Sequence, residues 1–277
     1  MGRKTVPDLL QMKAESQKIV MITAYDHAMA RLVDAAGVDI VLVGDSLGMV
    51  VQGGDDTLSV TVDDMVYHGR CVARGLRQAH LTLDMPFMSY QVSPAQALAN
   101  AGRLVQDGRA QSVKLEGGER TAPAIRAIVE AGIPVVGHVG LTPQSVHALG
   151  GFKVQGRSEA AAEQILRDAL AVQEAGAFCV VLEMVREDVA ARVTEALEIP
   201  TIGIGSGAGC DGQVLVCNDL LGLDSSFQPR FVKRYAELEG LVHQAVRAYA
   251  AEVRGGAFPA PEHAFQPRAA ANLRRLY

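Results

Sequence analysis

With 277 residues, 49% hydrophobic and 21% charged, the chain is long and apolar enough to bury a large core, which excludes a disordered or fibrous class. Its 31 acidic against 26 basic residues leave a net charge of -5, which argues against a phosphate-backbone partner, because nucleic-acid affinity rests on excess Lys and Arg. Cys71, Cys179, Cys210 and Cys217 form no CxxC pair, and two of them stand in apolar runs, which suits free thiols in a reducing compartment.

From the N-terminus, MGRKTVPDLLQMKAES carries charges and no apolar run long enough for a signal peptide, and Val6 stands where a myristoylation signal needs Ser or Thr. A cytoplasmic protein is expected. No stretch approaches the roughly 18 apolar residues that suggest a membrane span. Further on, three segments share one punctuation: Asp34-Ala-Ala-Gly37-Val-Asp-Ile-Val-Leu-Val, Glu130-Ala-Gly132-Ile-Pro-Val-Val and Glu174-Ala-Gly176-Ala-Phe-Cys-Val-Val-Leu. Each reads as helix, glycine stop, buried strand. Glycine takes the left-handed conformation that Cβ disfavours, and β-branched runs suit parallel strands covered on both faces. A fourth copy, from Glu195, enters its strand through Pro200.

Extended along the chain, the repeat gives strands at 19–23, 40–44, 81–84, 113–116, 135–138, 179–183, 201–204 and 214–216. Helix-length amphipathic stretches such as 94–106 and 159–174 lie between them, and no Pro/Ser-rich linker divides the chain. Eight βα units in about 250 residues are the rhythm of a (β/α)₈ TIM barrel, whereas a doubly wound sheet usually needs fewer strands. One domain over 1–277 is expected, with a long amphipathic helix at 231–250 and a Pro-containing tail from 255, this region of 231–277 packing outside.

Most of the apolar strand runs end at a residue that can do chemistry: Asp45, Asp84, Lys114 with Glu116, His138 and Glu183. In a barrel these ends converge on one mouth. Asp45, Asp84 and Glu116 offer hard oxygen ligands with no Cys or paired-His motif, which favours Mg²⁺ over Zn²⁺. Any one strand-end Asp can be a helix cap or turn former; three carboxylates on consecutive strands favour a site.

Lys114 stands two residues before Glu116, so strand alternation points both the same way, either as a mutual salt bridge or as a hold for an anionic substrate. Ser46 can add a hydroxyl or a backbone N–H to that anion, or simply form a turn. Glu183 closes an apolar strand, where burial would raise its pKa towards a general base's range; the bland alternative pairs it with Arg186. His138 can contact ligand or only a neighbour. The glycine-rich stretch 203–212 is a weak signal that fits backbone contact to a ligand or a tight turn, and it lacks the setting of a dinucleotide fingerprint.

The strings Val43-Gly-Asp45-Ser46-Leu-Gly-Met-Val, Asp84-Met-Pro-Phe-Met-Ser-Tyr90, Val113-Lys114-Leu-Glu116-Gly-Gly and Gly137-His138-Val-Gly-Leu-Thr-Pro-Gln144 resemble the ketopantoate hydroxymethyltransferase family. The likeness runs from Ile22-Thr-Ala-Tyr-Asp26 through Asp211-Gly-Gln-Val-Leu-Val to Phe258-Pro-Ala-Pro-Glu-His263, nearly the whole chain. Ser59 and Ser206 depart from the Pro and Ala usual there. The resemblance implies a barrel of the phosphoenolpyruvate/pyruvate type. It implies transfer of a hydroxymethyl group from 5,10-methylenetetrahydrofolate to 3-methyl-2-oxobutanoate, giving 2-dehydropantoate for pantothenate synthesis. It further implies a Mg²⁺ site of Asp45, Asp84 and Glu116, direct or through water, substrate contacts from Asp45, Ser46, Asp84 and Lys114, Glu183 as base, and a homo-oligomer, commonly a decamer.

Two other readings compete. A carbon-carbon lyase of the same barrel type would share the Mg²⁺ and 2-oxo acid logic, but its characteristic KKCGH-like stretch is absent from the sequence. A catalytically silent barrel would be marked by a lost carboxylate, and every one is present.

Overall fold

The computed structural model of the protein describes residues 2–224 and 229–265. Eight parallel strands close on themselves, each paired with the next and the eighth with the first. They are β1 Ile19–Thr23, β2 Ile40–Val43, β3 His80–Asp84, β4 Ser112–Glu116, β5 Val135–Gly140, β6 Cys179–Glu183, β7 Thr201–Ile204 and β8 Gly212–Leu215. The last begins two residues before the apolar pattern does, because Gly212 and Gln213 pair through backbone with β1 and β7 whatever their side chains. Gly37, Gly132 and Gly176, the stops read from the repeat, have φ of 85°, 86° and 98°.

Helix starts follow local chemistry. Thr61 and Asp64 form a capping box for Val62–Ala73, and Ser93 caps Pro94–Gln106 with proline in the first turn. Strand alternation then builds two cores. Outward residues such as Val41, Leu83, Val113 and Leu115 pack with Leu104, Ile125 and Ile128 of the surrounding helices. Inward residues Ile19, Met21, Ile40, Leu42, Val136, Val181 and Ile202 form the other core. The helix Val6–Ala14 inserts Leu9 and Met12 into that inner cluster and closes the N-terminal end of the barrel. Leu9 is fully buried, so Leu9→Ala there costs about 2–5 kcal/mol.

The terminal helix runs Leu238–Gly255 instead of starting at 231. Val232 is buried and the Tyr235 N–H donates to the Leu220 carbonyl, so this segment is held as a non-helical strap against the short helix Cys217–Leu221. No residue of the terminal helix is buried, and Leu241, Val242, Val246, Tyr249 and Val253 are among its exposed apolar side chains. Residues 268–277 of the expected tail lie outside the described residues. Among the described residues no helix is long and apolar enough to cross a membrane.

Candidate active site

Alternation places His80, Thr82 and Asp84 of β3 beside Ser112, Lys114 and Glu116 of β4 on the inner face. Their lower members are neutral and bonded to one another, with His80 Nε2 2.9 Å from Ser112 Oγ and Thr82 Oγ1 2.8 Å from it. Their upper members are ionisable. The register sets Asp84 against Lys114, whose Nζ lies 3.0 Å from Asp84 Oδ1. The lysine therefore pairs across strands and not with Glu116, because same-face residues of one strand stand about 6–7 Å apart and adjacent strands about 4.8 Å.

β2 reaches the same place through glycine. A Cβ on Gly44 would lie 2.8 Å from Ser46 Oγ and 3.5 Å from Asp84 Oδ2, so its absence lets the chain turn past the carboxylate. The Asp45 N–H then donates to Asp84 Oδ2 at 3.0 Å, and Ser46 Oγ lies 2.9 Å from Tyr25 Oη. On β5, His138 Nε2 stands 3.2 Å from Glu183 Oε2, while Nδ1 is 3.3 Å from Lys114 Nζ and 3.5 Å from Glu116 Oε1. Glu183 thus partners histidine, whereas Arg186 turns to Asp188 at 2.5 and 2.6 Å.

Electrostatics follow from this crowding. Burial, then the charges of Asp84 and Glu116, push the Asp45 carboxyl well above its usual range. Burial likewise raises Asp84, against the pull of Lys114. For Lys114, burial works against the ammonium, but Asp84, Glu116 and Asp45 outweigh it and hold its pKa above the usual lysine value. Burial and Lys114 also oppose charge on His138; the Glu116 and Glu183 carboxylates, 3.5 and 3.2 Å from its ring nitrogens, prevail and raise it to about 9.

All seven residues singled out in the sequence, Asp45, Ser46, Asp84, Lys114, Glu116, His138 and Glu183, line one cavity of about 1650 Å³. Its lining also includes Met184, Gly205, Phe231, Asn218, Lys18 and Gln213. Glycines 205 and 207 of the glycine-rich stretch line it as well.

Four further residues escaped the sequence reading. Tyr25 holds Ser46, and Thr57 lines the cavity with a buried hydroxyl that has no hydrogen-bond partner among the described residues. Gln144 donates to the Asp45 and Glu116 carboxylates from behind, and Tyr90 bonds to Gln144 and to the Glu116 backbone. The Ser206 hydroxyl, where the resemblance leads one to expect Ala, donates to the Leu182 carbonyl at 2.7 Å and accepts the Val185 N–H at 3.0 Å, clasping the strand end that carries Glu183.

Comparison with solved structures gives the same barrel. A phosphonopyruvate hydrolase in complex with oxalate and Mg²⁺ superposes with a TM-score of 0.61 at 12% identity, over 94% of this chain and 93% of the other. A 2,3-dimethylmalate lyase of the PEP mutase/isocitrate lyase superfamily gives 0.59 at 17%, over 91% and 85%. At such identities the likeness is one of fold. Sequence relatives are far nearer. The 3-methyl-2-oxobutanoate hydroxymethyltransferase of Syntrophotalea carbinolica is 60% identical over 263 residues, 95% of this chain and 98% of that one. The enzyme of the same name from Pelobacter propionicus is 59% identical over 94% and 97%. The family model described as ketopantoate hydroxymethyltransferase matches residues 3–261. With identity this high over nearly its whole length, the chain is an enzyme of the ketopantoate hydroxymethyltransferase family.

Proposed function

We propose that this enzyme transfers a hydroxymethyl group from 5,10-methylenetetrahydrofolate to 3-methyl-2-oxobutanoate, giving 2-dehydropantoate for pantothenate synthesis. Family membership supports the acceptor and product, since the relatives carry that acceptor in their name. The observation that carries the chemistry is the opposition, in one cavity, of a Glu183–His138 pair to the Asp45, Asp84, Glu116 and Lys114 cluster.

Asp45, Asp84 and Glu116 would hold Mg²⁺, directly or through water. Their hard oxygens fit that ion, and burial, with neighbouring carboxylates adding to it, disfavours the bare anions of Asp45 and Asp84, a cost that a cation would relieve. Among the described residues no three His, Cys, Asp or Glu side chains already stand close enough to hold a metal ion together, so water and ligand oxygens would complete the shell, as Mg²⁺ usually keeps several waters and takes one or two carboxylates. Bound Mg²⁺ would supply Lewis-acid electron withdrawal from the 2-oxo acid, making its C3–H more acidic.

The chain's own groups do the rest. Lys114 and Ser46 bind the acceptor's carboxylate end. Glu183, whose side chain is 17% exposed, takes the C3 proton, with the His138 ring 3.2 Å away as its charge partner. The enolate carbon then bonds to the one-carbon unit, delivered as a folate iminium or a related electrophile. Water replaces the folate nitrogen on that carbon, so that its oxygen becomes the hydroxyl, the C–N bond breaks and a proton goes to the nitrogen of the departing tetrahydrofolate. A five-carbon acid fills a small part of the cavity, and apolar Phe152, Val154, Met184 and Phe231 line the remainder, which suits a folate cosubstrate.

Two broader expectations belong to the same reading. The enzyme works in the cytoplasm, and it assembles with copies of itself through the exposed apolar stripe Val242, Val246, Tyr249 and Val253 of the terminal helix. Exchange of the C3 proton of 3-methyl-2-oxobutanoate in D₂O, followed by NMR with Mg²⁺ and with EDTA before any folate is added, tests the chemistry. Metal-dependent exchange is the expected result. Equal exchange rates in Mg²⁺ and EDTA would remove the metal-stabilised enolate.

A further inference from the structure

We propose that Gln144 is the positioning residue of the carboxylate pair Asp45 and Glu116, holding both in place before a divalent cation arrives. The inference rests on the reading that these carboxylates hold Mg²⁺.

Gln144 follows β5 in the loop that opens with Pro143, and it is buried. It reaches both carboxylates with different parts of itself. Side-chain Nε2 donates to Asp45 Oδ2 at 2.8 Å, and the backbone N–H donates to Glu116 Oε2 at 3.0 Å. One residue therefore ties the ends of β2 and β4 to the loop after β5. Each bond engages a single oxygen, so each carboxylate is oriented without both its oxygens being consumed by Gln144. Charge-assisted bonds of this kind are short, directional and stronger than neutral ones.

The amide itself is fixed. Its second Nε2 proton goes to the Met85 carbonyl at 3.0 Å, and its Oε1 accepts from Tyr90 Oη at 2.7 Å and Gln91 Nε2 at 3.1 Å. A flipped amide would turn Oε1 towards the Asp45 carboxylate and the Met85 carbonyl, and turn its NH₂ towards the Gln91 NH₂. The hydrogen-bond capacity of the primary amide is thus fully used in one orientation only. Tyr90 extends the brace, since its Oη also accepts the Glu116 N–H at 3.1 Å.

A bland alternative is that Gln144 merely fastens its loop. Loop fastening needs backbone partners, which Met85 supplies, but not donors aimed at two mutually repelling carboxylates. Supporting groups behind metal ligands fix ligand orientation, and their loss typically weakens metal binding about 10–100-fold. The expected consequence is a ligand pair that must be re-collected on each binding event when Gln144 is lost.

The test is titration of the metal-free full-length enzyme with Mn²⁺, reading free ion by electron paramagnetic resonance, alongside a melting curve for each variant. Gln144→Met, close in shape and without the amide, is expected to raise the Mn²⁺ Kd about 10-fold or more while the protein stays folded. Tyr90→Phe, which leaves Gln91 on the amide, is expected to raise it about 3-fold and decides the question where Gln144→Met does not fold. A lowered melting temperature with wild-type Kd would assign these residues to loop fastening and overturn the proposal. No saturable Mn²⁺ binding by the wild type would instead remove the metal reading itself, and this inference with it.

Discussion

The two ends of the barrel handle buried charge in opposite ways. At the N-terminal end, Asp34 accepts the backbone N–H groups of Arg77, Gln78 and Ala79 at 2.9, 3.0 and 2.8 Å. Burial opposes its charge, but these bonds outweigh burial and hold its carboxyl below the usual range. Asp211 is similarly met by the Thr201 N–H at 2.8 Å and by Lys13 at 2.7 Å. At the C-terminal end, Asp45 and Asp84 are raised by burial, each also feels neighbouring carboxylates, and the ammonium of Lys114 sits among them. One end spends its charges on its own backbone and gains stability. The other gathers four carboxylates, Asp45, Asp84, Glu116 and Glu183, around Lys114 and His138, which suits a ligand-binding mouth.

The contrast breaks most visibly at Glu183. Glu183→Gln keeps the side chain's shape and removes the proton acceptor, so C3 exchange should slow about 10²–10⁴-fold, with 2-oxo acid affinity within a few-fold of wild type. Unchanged exchange would take the base role away from Glu183. Next in size is Asp45→Asn, which removes one repelling anion. We expect Mg²⁺ affinity to fall about 100-fold while the metal-free protein melts about 2–4 °C higher. A lower melting temperature without metal would contradict the stored repulsion argued for this end. Asp34→Ala is its mirror image: three backbone donors lose their acceptor, stability falls by about 2 kcal/mol in urea unfolding, and kcat stays put. A kcat loss there would mean the two ends are coupled.

Much of the mouth was legible because strand alternation and the barrel rule act locally. An apolar run that ends in Asp84 or Glu183 puts a known atom at a known end. Partners across strands were less legible. Asp84 and Lys114 meet through the β3–β4 register, and no spacing within either strand encodes it. Glu183 meets His138 for the same reason, their strands being neighbours, whereas nearby Arg186 turns away to Asp188. Gln144 was invisible to periodicity because a loop residue has none; the one available signal was its place in the string Gly137–Gln144 that carried the family resemblance. The plug Val6–Ala14 hid behind its charges, since only Leu9 and Met12 are buried. The terminal helix was misjudged at its start because an amphipathic pattern does not show that the preceding segment is held by the Leu220 carbonyl.

The smallest effect expected is at His80, and it sharpens the contrast through pH. His80 lies in the neutral layer below the ions, with Nδ1 3.1 Å from the Lys4 carbonyl and Nε2 2.9 Å from Ser112 Oγ. Burial is the main cause that lowers its pKa to about 4, against a backbone bond to Lys4 that raises it. A histidine lowered on folding is bound to fewer protons in the native state than in the unfolded chain. Its contribution is therefore complete above the unfolded value of about 6.5 and is lost as pH falls from there towards 4. Between pH 7 and pH 5 the wild type should lose about 1–2 kcal/mol of stability through this group. His80→Gln keeps a donor and an acceptor but cannot titrate, so its urea midpoint should fall less over the same interval even if it starts lower. Equal pH slopes in the two proteins would show that the acid sensitivity of this barrel arises at the carboxylate mouth and not at its neutral floor.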